Sequence, residues 1–200
     1  IVGVFGFILG MFHERLLLQK NILDRMAAQL RYESITDGLT GLYNHRHLLA
    51  EIDREVERAR RYGRTLASIM IDVDDFKKIN DQYGHLAGDT LLQEIAQVLR
   101  YSIRKVDILG RYGGDEFLVI LPEAAGEGAM AVAERIRENM QKHSFVAGKD
   151  ALAITMSIGV CFFTESRKID SETFIDKADQ ALLQAKRQGK DKIILEKILH

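Results

Sequence analysis

Arg111-Tyr112-Gly113-Gly114-Asp115-Glu116-Phe117 lies between two apolar runs, Val106 to Leu109 and Phe117 to Leu121. Two apolar runs joined across Gly-Gly read as a β-hairpin, because glycine alone enters a positive-φ turn freely. The carboxylate pair just past the turn does not suit packing. Acids beside a tight turn, where backbone approaches a ligand closely, suggest cation and phosphate chemistry. Most Gly-Gly hairpins with a polar flank are plain structure, so the rest of the chain decides.

Upstream, Asn44 is placed to cap a helix from Arg46 to Tyr62, and Thr65 to Val73 reads as a buried strand. A short helix begins near Asp75, is interrupted at Tyr83-Gly84-His85, and gives way to a longer one from Gly88 to Arg104. Downstream, Pro122 closes the hairpin and Glu127 to Lys142 is helical. Ala151 to Thr164 reads as one long apolar strand, Ser171 to Gln188 as a helix ending at Gly189, and Lys192 to Leu195 as a last strand. This order indicates an α+β domain with a largely antiparallel sheet.

The N-terminal segment reads differently. Leu9, Leu16, Leu23 and Leu30 recur every seven residues, with Phe12, Gln19 and Met26 three places on. That a/d repeat predicts a helix paired with a second copy of itself, Gln19 weakening the seam and setting its register. The helix ends near Ser34, and the Asp37-Gly38-Leu39-Thr40-Gly41-Leu42 turn marks the boundary. The expected division is 1–34, a signalling helix, and 35–200, a catalytic domain. The chain opens on Ile rather than Met and reads as a fragment. Ile1 to Phe12 is too short to span a bilayer, which needs about 20 apolar residues. It fits either the cytoplasmic end of a truncated transmembrane helix or a buried helix start.

Hydrophobic residues make up 46% of the chain, enough for a sizeable core, and 28 basic against 29 acidic residues leave a net charge of -1. That balance carries no nucleic-acid footprint. Six histidines lack zinc spacing, and Cys161, alone in an apolar run, points to a reducing compartment.

Asp72 ends an apolar strand. If that strand neighbours the hairpin, Asp72 converges with Asp115 or Glu116, and the Val73 carbonyl adds an oxygen. Such a set holds Mg²⁺ with positions open for phosphate. Asp74 and Asp75 read as caps of the following helix, whose first N–H groups form an anion site. Asn80 and Asp89 flank the Tyr83-Gly84-His85 turn. A carboxylate accepts from both N1–H and N2–H₂ of guanine, so Asn80 and Asp89, assisted by His85, suit guanine. Helix capping by the same two residues is the plainer alternative. Lys186 and Lys190 share a helix face and suit either a triphosphate or the helix dipole. Arg104 and Asp107, alone, are an ordinary surface ion pair.

Together these motifs resemble the GGDEF family of diguanylate cyclases over about Ile35 to Leu195. The residues that carry the resemblance are Asp37 to Asn44, Asp72 to Asp81, Tyr83-Gly84-His85 with Gly88-Asp89, Gly113 to Phe117, and Ala185-Lys186 with Gly189-Lys190. The resemblance implies a central, mostly antiparallel five-stranded sheet flanked by helices, similar to polymerase palm and adenylyl cyclase domains, after a long N-terminal helix. It implies condensation of two GTP into cyclic di-GMP and two pyrophosphates by a homodimer in the cytoplasm, anchored in the bacterial inner membrane if the apolar start belongs to a span. Asp72, Val73, Asp115 and Glu116 would hold Mg²⁺ or Mn²⁺, and Asp115 or Glu116 would take the 3′-hydroxyl proton. Asn80, His85 and Asp89 would bind guanine or ribose. The Phe76 and Lys77 amides with Lys186 and Lys190 would hold phosphates. Lys190 stands where most members carry Arg, losing a bidentate fork but keeping the charge; His45 also replaces a commoner Arg. Arg104 and Asp107 match the RxxD inhibitory product site, joined by Arg135 and by Arg58 from the partner subunit. A silent domain that only senses cyclic di-GMP, and a cyclase joining GTP to ATP, are the rival readings. The intact acids argue against the first and Asp89 against the second.

Overall fold

A computed structural model of the chain describes residues 15–26, 30, 34–164 and 169–198. The chain divides into two compact units, 1–36 and 37–200, each described by itself.

In the first unit, residues 15–26 are helical, and Leu16, Leu23, Met26 and Leu30 of the heptad pattern are exposed. Leu9, Phe12 and the apolar stretch 1–12 lie outside the described residues. Among the described residues, no helix is long and apolar enough to cross a membrane.

The second unit runs α1 (His45–Tyr62), β1 (Leu66–Val73), α2 (Phe76–Tyr83), α3 (His85–Tyr101), β2 (Ile108–Arg111), β3 (Glu116–Pro122), α4 (Gly126–Lys142), β4 (Phe145–Ala147), β5 (Asp150–Leu152), β6 (Met156–Phe163), α5 (Ser171–Arg187) and β7 (Ile193–Lys197). Five strands form one sheet in the order β2-β3-β1-β6-β7, antiparallel except for the β6–β7 pair. This is the expected α+β architecture.

Helices on both faces explain why β1 is buried at every position. Alternate residues of a strand point to opposite faces. On one face Ile69 and Ile71 of β1, Val119 of β3 and Ile158 of β6 pack with Leu92 and Ile95 of α3 and Ile136 of α4. On the other face Leu66 and Met70, Leu118 and Phe163 meet Leu48 and Ile52 of α1 and Phe174 and Leu182 of α5. Cys161 belongs to this second core, where burial pushes its thiol up to about 12 and leaves it inert. Asn44 caps α1 as expected, its side chain accepting from the His47 N–H.

Three local expectations are corrected. The run from Ala151 to Thr164 is two strands. β5 pairs with β4 across a turn in which Gly148 takes φ +65°, whereas β6 pairs with β1 from Met156 onward. The run holds no proline and its one glycine, Gly159, lies inside β6, so its composition does not show where the partner changes. α3 starts at His85 and stops at Tyr101, and Gly84, at φ +84°, separates it from α2. Finally, Val106 is exposed and β2 begins only at Ile108.

Candidate active site

β1 is the central strand, and its C-terminal end meets the β2–β3 turn. Asp72 is the register partner of Glu116, and the Val73 N–H donates to the Asp115 carbonyl at 3.3 Å. The three acids therefore gather at one end of the sheet. Asp72 is buried, and the Lys186 ammonium lies 2.7 Å from its Oδ2. Burial pushes the Asp72 carboxyl up to about 6. Lys186 pulls it down, while the negative charges of Asp115 and Glu116 add to the rise.

The hairpin turn is built by contacts other than the expected ones. Neither Gly113 nor Gly114 has a positive φ, which corrects the reason given for the glycine pair. A Cβ at Gly113 would lie 2.6 Å from Glu116 Oε2, the movable end of that side chain, so space does not strictly demand glycine there. The Tyr112 and Gly113 N–H groups both donate to the Glu116 carbonyl. Arg111, which sequence reasoning missed, clamps the turn. Its Nε and Nη2 donate to the Gly114 carbonyl at 3.0 and 2.6 Å, and its Nη1 reaches Asp37 at 3.2 Å. Burial works to raise the Asp37 carboxyl, but bonds from Thr40 and the Arg111 guanidinium outweigh it and hold it low. The Asp37–Leu42 turn is thus a buttress for the acidic hairpin. His45 packs edge-on against Tyr112, with ring centroids 4.7 Å apart.

Among the described residues, no three His, Cys, Asp or Glu side chains close on one point as a finished metal cage. The donor set still fits Mg²⁺ or Mn²⁺. Hard cations of this size are held by one or two carboxylates and complete their shell with water and phosphate. Asp72, the Val73 carbonyl and Asp115 are the oxygens available, and the Lys186 ammonium on Asp72 is a stand-in for the positive charge.

The phosphate side lies one turn further on. Phe76 and Lys77 open α2, where N–H groups have no intrahelical acceptor. Neither Asp74 nor Asp75 caps this helix with its side chain, contrary to expectation. Asp75 takes φ 57° without a side-chain capping bond and pairs instead with Lys78 and Lys190, both at 2.9 Å. Lys190 holds the Asp75 carboxyl low, aided by Lys78, and the Asp75 carboxylate holds the Lys190 ammonium high. Asp74 turns inward and accepts from Thr155, Ser157 and the Asp191 N–H. Lys186 and Lys190 therefore stand on either side of the β1–α2 turn.

The base side lies between α2 and α3. Asn80 Oδ1 is buried and has no hydrogen-bond partner. It fits only because residue 88 is glycine, since a Cβ there would lie 1.9 Å from Asn80 Oδ1. A buried acceptor left open carries a desolvation cost that a ligand donor would relieve. His85 opens α3 and Asp89 lies one turn inside it, so Asp89 is not the helix cap.

Arg104 and Asp107 lie at the other end of the hairpin. The Asp107 side chain is fully buried and accepts from the Arg104 N–H at 2.7 Å and from Arg104 Nη2 at 2.7 Å. Arg104 Nη2 also reaches the Pro122 carbonyl, and Arg58 lies 3.9 Å from the neighbouring Glu123. Arg135 Nε donates to the Ser102 carbonyl at 2.7 Å. A separate cleft of about 540 Å³, lined by Leu49, Asp53, Tyr112, Ile175 and Asp176 among others, contains none of the expected site residues.

The family model for the diguanylate cyclase GGDEF domain matches residues 34–192. Response regulator PleD of Caulobacter vibrioides is 39% identical over 163 residues, covering 80% of this chain and 36% of PleD. The chain thus spans about a third of the length of that relative. The crystal structure of diguanylate cyclase SiaD, in complex with its activator SiaC, from Pseudomonas aeruginosa matches with TM-score 0.80 and 38% identity, over 89% of this chain and 68% of that one. The coiled coil and GGDEF domain of DgcB from Caulobacter crescentus, crystallised with c-di-GMP, matches with TM-score 0.83 and 28% identity, over 92% of this chain and 99% of that one. With its sheet order, its acidic hairpin and these matches, the chain belongs to the GGDEF family of diguanylate cyclase domains.

Proposed function

We propose that this domain condenses two GTP molecules into cyclic di-GMP and two pyrophosphates, each domain of a homodimer presenting one GTP. The observation that carries the reading is the buried Asp72 set against Asp115 and Glu116, with Lys186 on its open side. The likeness to diguanylate cyclase SiaD, and a related domain crystallised with c-di-GMP, support it.

Asp72, the Val73 carbonyl and Asp115 hold Mg²⁺ or Mn²⁺ in this account. The bound ion supplies Lewis-acid polarisation of the α-phosphate and neutralises charge on the departing pyrophosphate. Lys186, Lys190 and the Phe76 and Lys77 amides hold the triphosphate. Asn80, Asp89 and His85 take the guanine and ribose. The 3′-oxygen of one GTP bonds to the α-phosphorus of the other, pyrophosphate leaves, and Asp115 or Glu116 accepts the hydroxyl proton. The same step in reverse orientation closes the ring. Since each substrate comes from a different subunit, alignment of the two domains supplies much of the rate. The N-terminal helix, pairing with its copy, sets that alignment. Product held at Arg104, Asp107 and Arg135, with Arg58 of a second subunit, arrests the domains apart.

Incubation with GTP and Mg²⁺, followed by chromatography, tests this. Cyclic di-GMP should form at a rate per protomer that rises with protein concentration. A dimeric sample that turns over no GTP would leave only the receptor reading.

A further inference from the structure

Asp74 has no part in the chemistry above, yet its surroundings are among the most completely determined in the domain. The residue is 6% exposed. Oδ1 accepts from Ser157 Oγ at 2.7 Å, and Oδ2 accepts from Thr155 Oγ1 at 2.8 Å and from the Asp191 N–H at 3.0 Å. Its own N–H donates to the Thr155 carbonyl at 3.0 Å. One carboxylate thus joins three segments far apart in sequence: the β1–α2 turn, the start of β6 and the loop after α5.

That loop is strained. Lys190 and Asp191 take φ values of 60° and 44°, and Asp75, across from them, takes 57°. Side chains rarely adopt this region, and such residues persist where their surroundings over-determine them. The Asp191 N–H can reach Asp74 only with the loop folded over the β1–α2 turn. In that fold the Lys190 ammonium lies 2.9 Å from Asp75 Oδ1, beside the first amides of α2. Lys190 carries its charge on a flexible four-carbon stem, so its placement depends on the backbone beneath it.

We propose that Asp74 is a positioning residue for the triphosphate. Its carboxylate fastens the Gly189–Asp191 loop onto the turn preceding α2 and so holds Lys190 and the α2 amides in register with one another. This rests on the assignment of Lys186, Lys190 and those amides to the phosphates. It places Asp74 behind the site, touching neither substrate nor metal.

The test measures binding of two probes to the whole chain with Mg²⁺: a GTP analogue with a methylene between the α- and β-phosphates, and guanosine. Asp74→Asn should weaken the analogue about tenfold or more and leave guanosine unchanged, the size expected when charge-assisted contacts lose alignment. In a Lys190→Ala background the same substitution should add less than about threefold, because the two act through one contact. Equal weakening of both probes, or an unchanged analogue affinity in folded protein, would overturn the proposal. Thr155→Val and Ser157→Ala each remove one donor to Asp74. They should shift the analogue alone, in the same direction and by less. No shift in either variant would overturn the proposal even if Asp74→Asn failed to fold. If the unaltered chain bound the analogue no more tightly than guanosine, the phosphate assignment itself would fall and take this inference with it.

Discussion

Lys186 Nζ and Asp72 Oδ2 lie 2.7 Å apart, joining the last turn of α5 to the end of the central strand. The pair puts a protein cation against the one deeply buried carboxylate of the acidic cluster. In the proposed reaction a divalent ion would take that position and leave the Lys186 ammonium to the phosphates.

The pH dependence of stability follows from Asp72. Its pKa in the fold is raised to about 6 from the ordinary aspartate value, so the folded state holds a proton that the unfolded state has released over roughly pH 4 to 6. Stability contributed this way is present at low pH and falls as pH rises through that window. Above it the charged carboxylate costs about 1 to 3 kcal/mol. Asp72→Asn should therefore raise the melting temperature at pH 7.5, flatten the pH dependence between 4 and 6, and abolish turnover. Thermal denaturation across pH checks it.

Gly88→Ala should disable the base side without unfolding the domain. The new methyl meets Asn80 Oδ1 at 1.9 Å and Phe76 Cζ at 3.1 Å, so the amide must move. GTP binding should weaken about tenfold or more, the cost of a lost and misplaced hydrogen-bonding group. Asn80→Ala should lose similar affinity at little cost in stability, since its Oδ1 has no partner to lose. Calorimetric titration with a GTP analogue and a melting curve separate the two effects.

Arg104→Ala should relieve product inhibition while the initial rate is retained. Arg104 and the acidic turn sit at opposite ends of β2–β3, with Ile108↔Ile120 at one end and Arg111↔Phe117 at the other. The variant also strips guanidinium bonds from the buried Asp107 carboxylate, leaving the residue 104 N–H as a donor. A stability loss of about 1 to 2 kcal/mol should accompany it. Progress curves with and without added cyclic di-GMP provide the check.

Arg111→Met should slow turnover by about tenfold with little change in GTP affinity. The substitution keeps the stem but removes the bonds to the Gly114 carbonyl and to Asp37 that fix the acidic turn. Such loosening is felt in alignment of the reacting groups more than in binding. Steady-state kinetics should show the effect in kcat rather than KM.

The sheet was legible because its central strands β1, β3 and β6 are largely apolar, as burial on two faces demands, and because turns and caps such as Asn44 carry local chemistry. The acidic hairpin was legible as a motif but not as a shape. Gly113 reads as a positive-φ residue, and it takes no positive φ. The role of Asp74 was hidden for a related reason. An aspartate before a helix looks like a cap, and its donors lie as many as 117 positions away. The Lys190–Asp75 pair spans 115 positions and has no periodic signal either. Sequence spacing reports neighbours along a helix or strand, whereas this site is assembled from separate loops and turns at the end of the sheet where β1 stops.

The central claim is that acids from two neighbouring strands share one divalent ion beside the triphosphate. Diffraction from crystals grown with Mn²⁺ and a non-reactive GTP analogue, recorded for anomalous signal, tests it most directly. The account predicts a single manganese peak within about 2.2 Å of oxygens from Asp72, Asp115 and the Val73 carbonyl, with phosphate oxygens completing the shell and Lys186 moved onto the phosphates. A triphosphate seated with Lys186 still on Asp72, and manganese bound elsewhere or not at all, would contradict it.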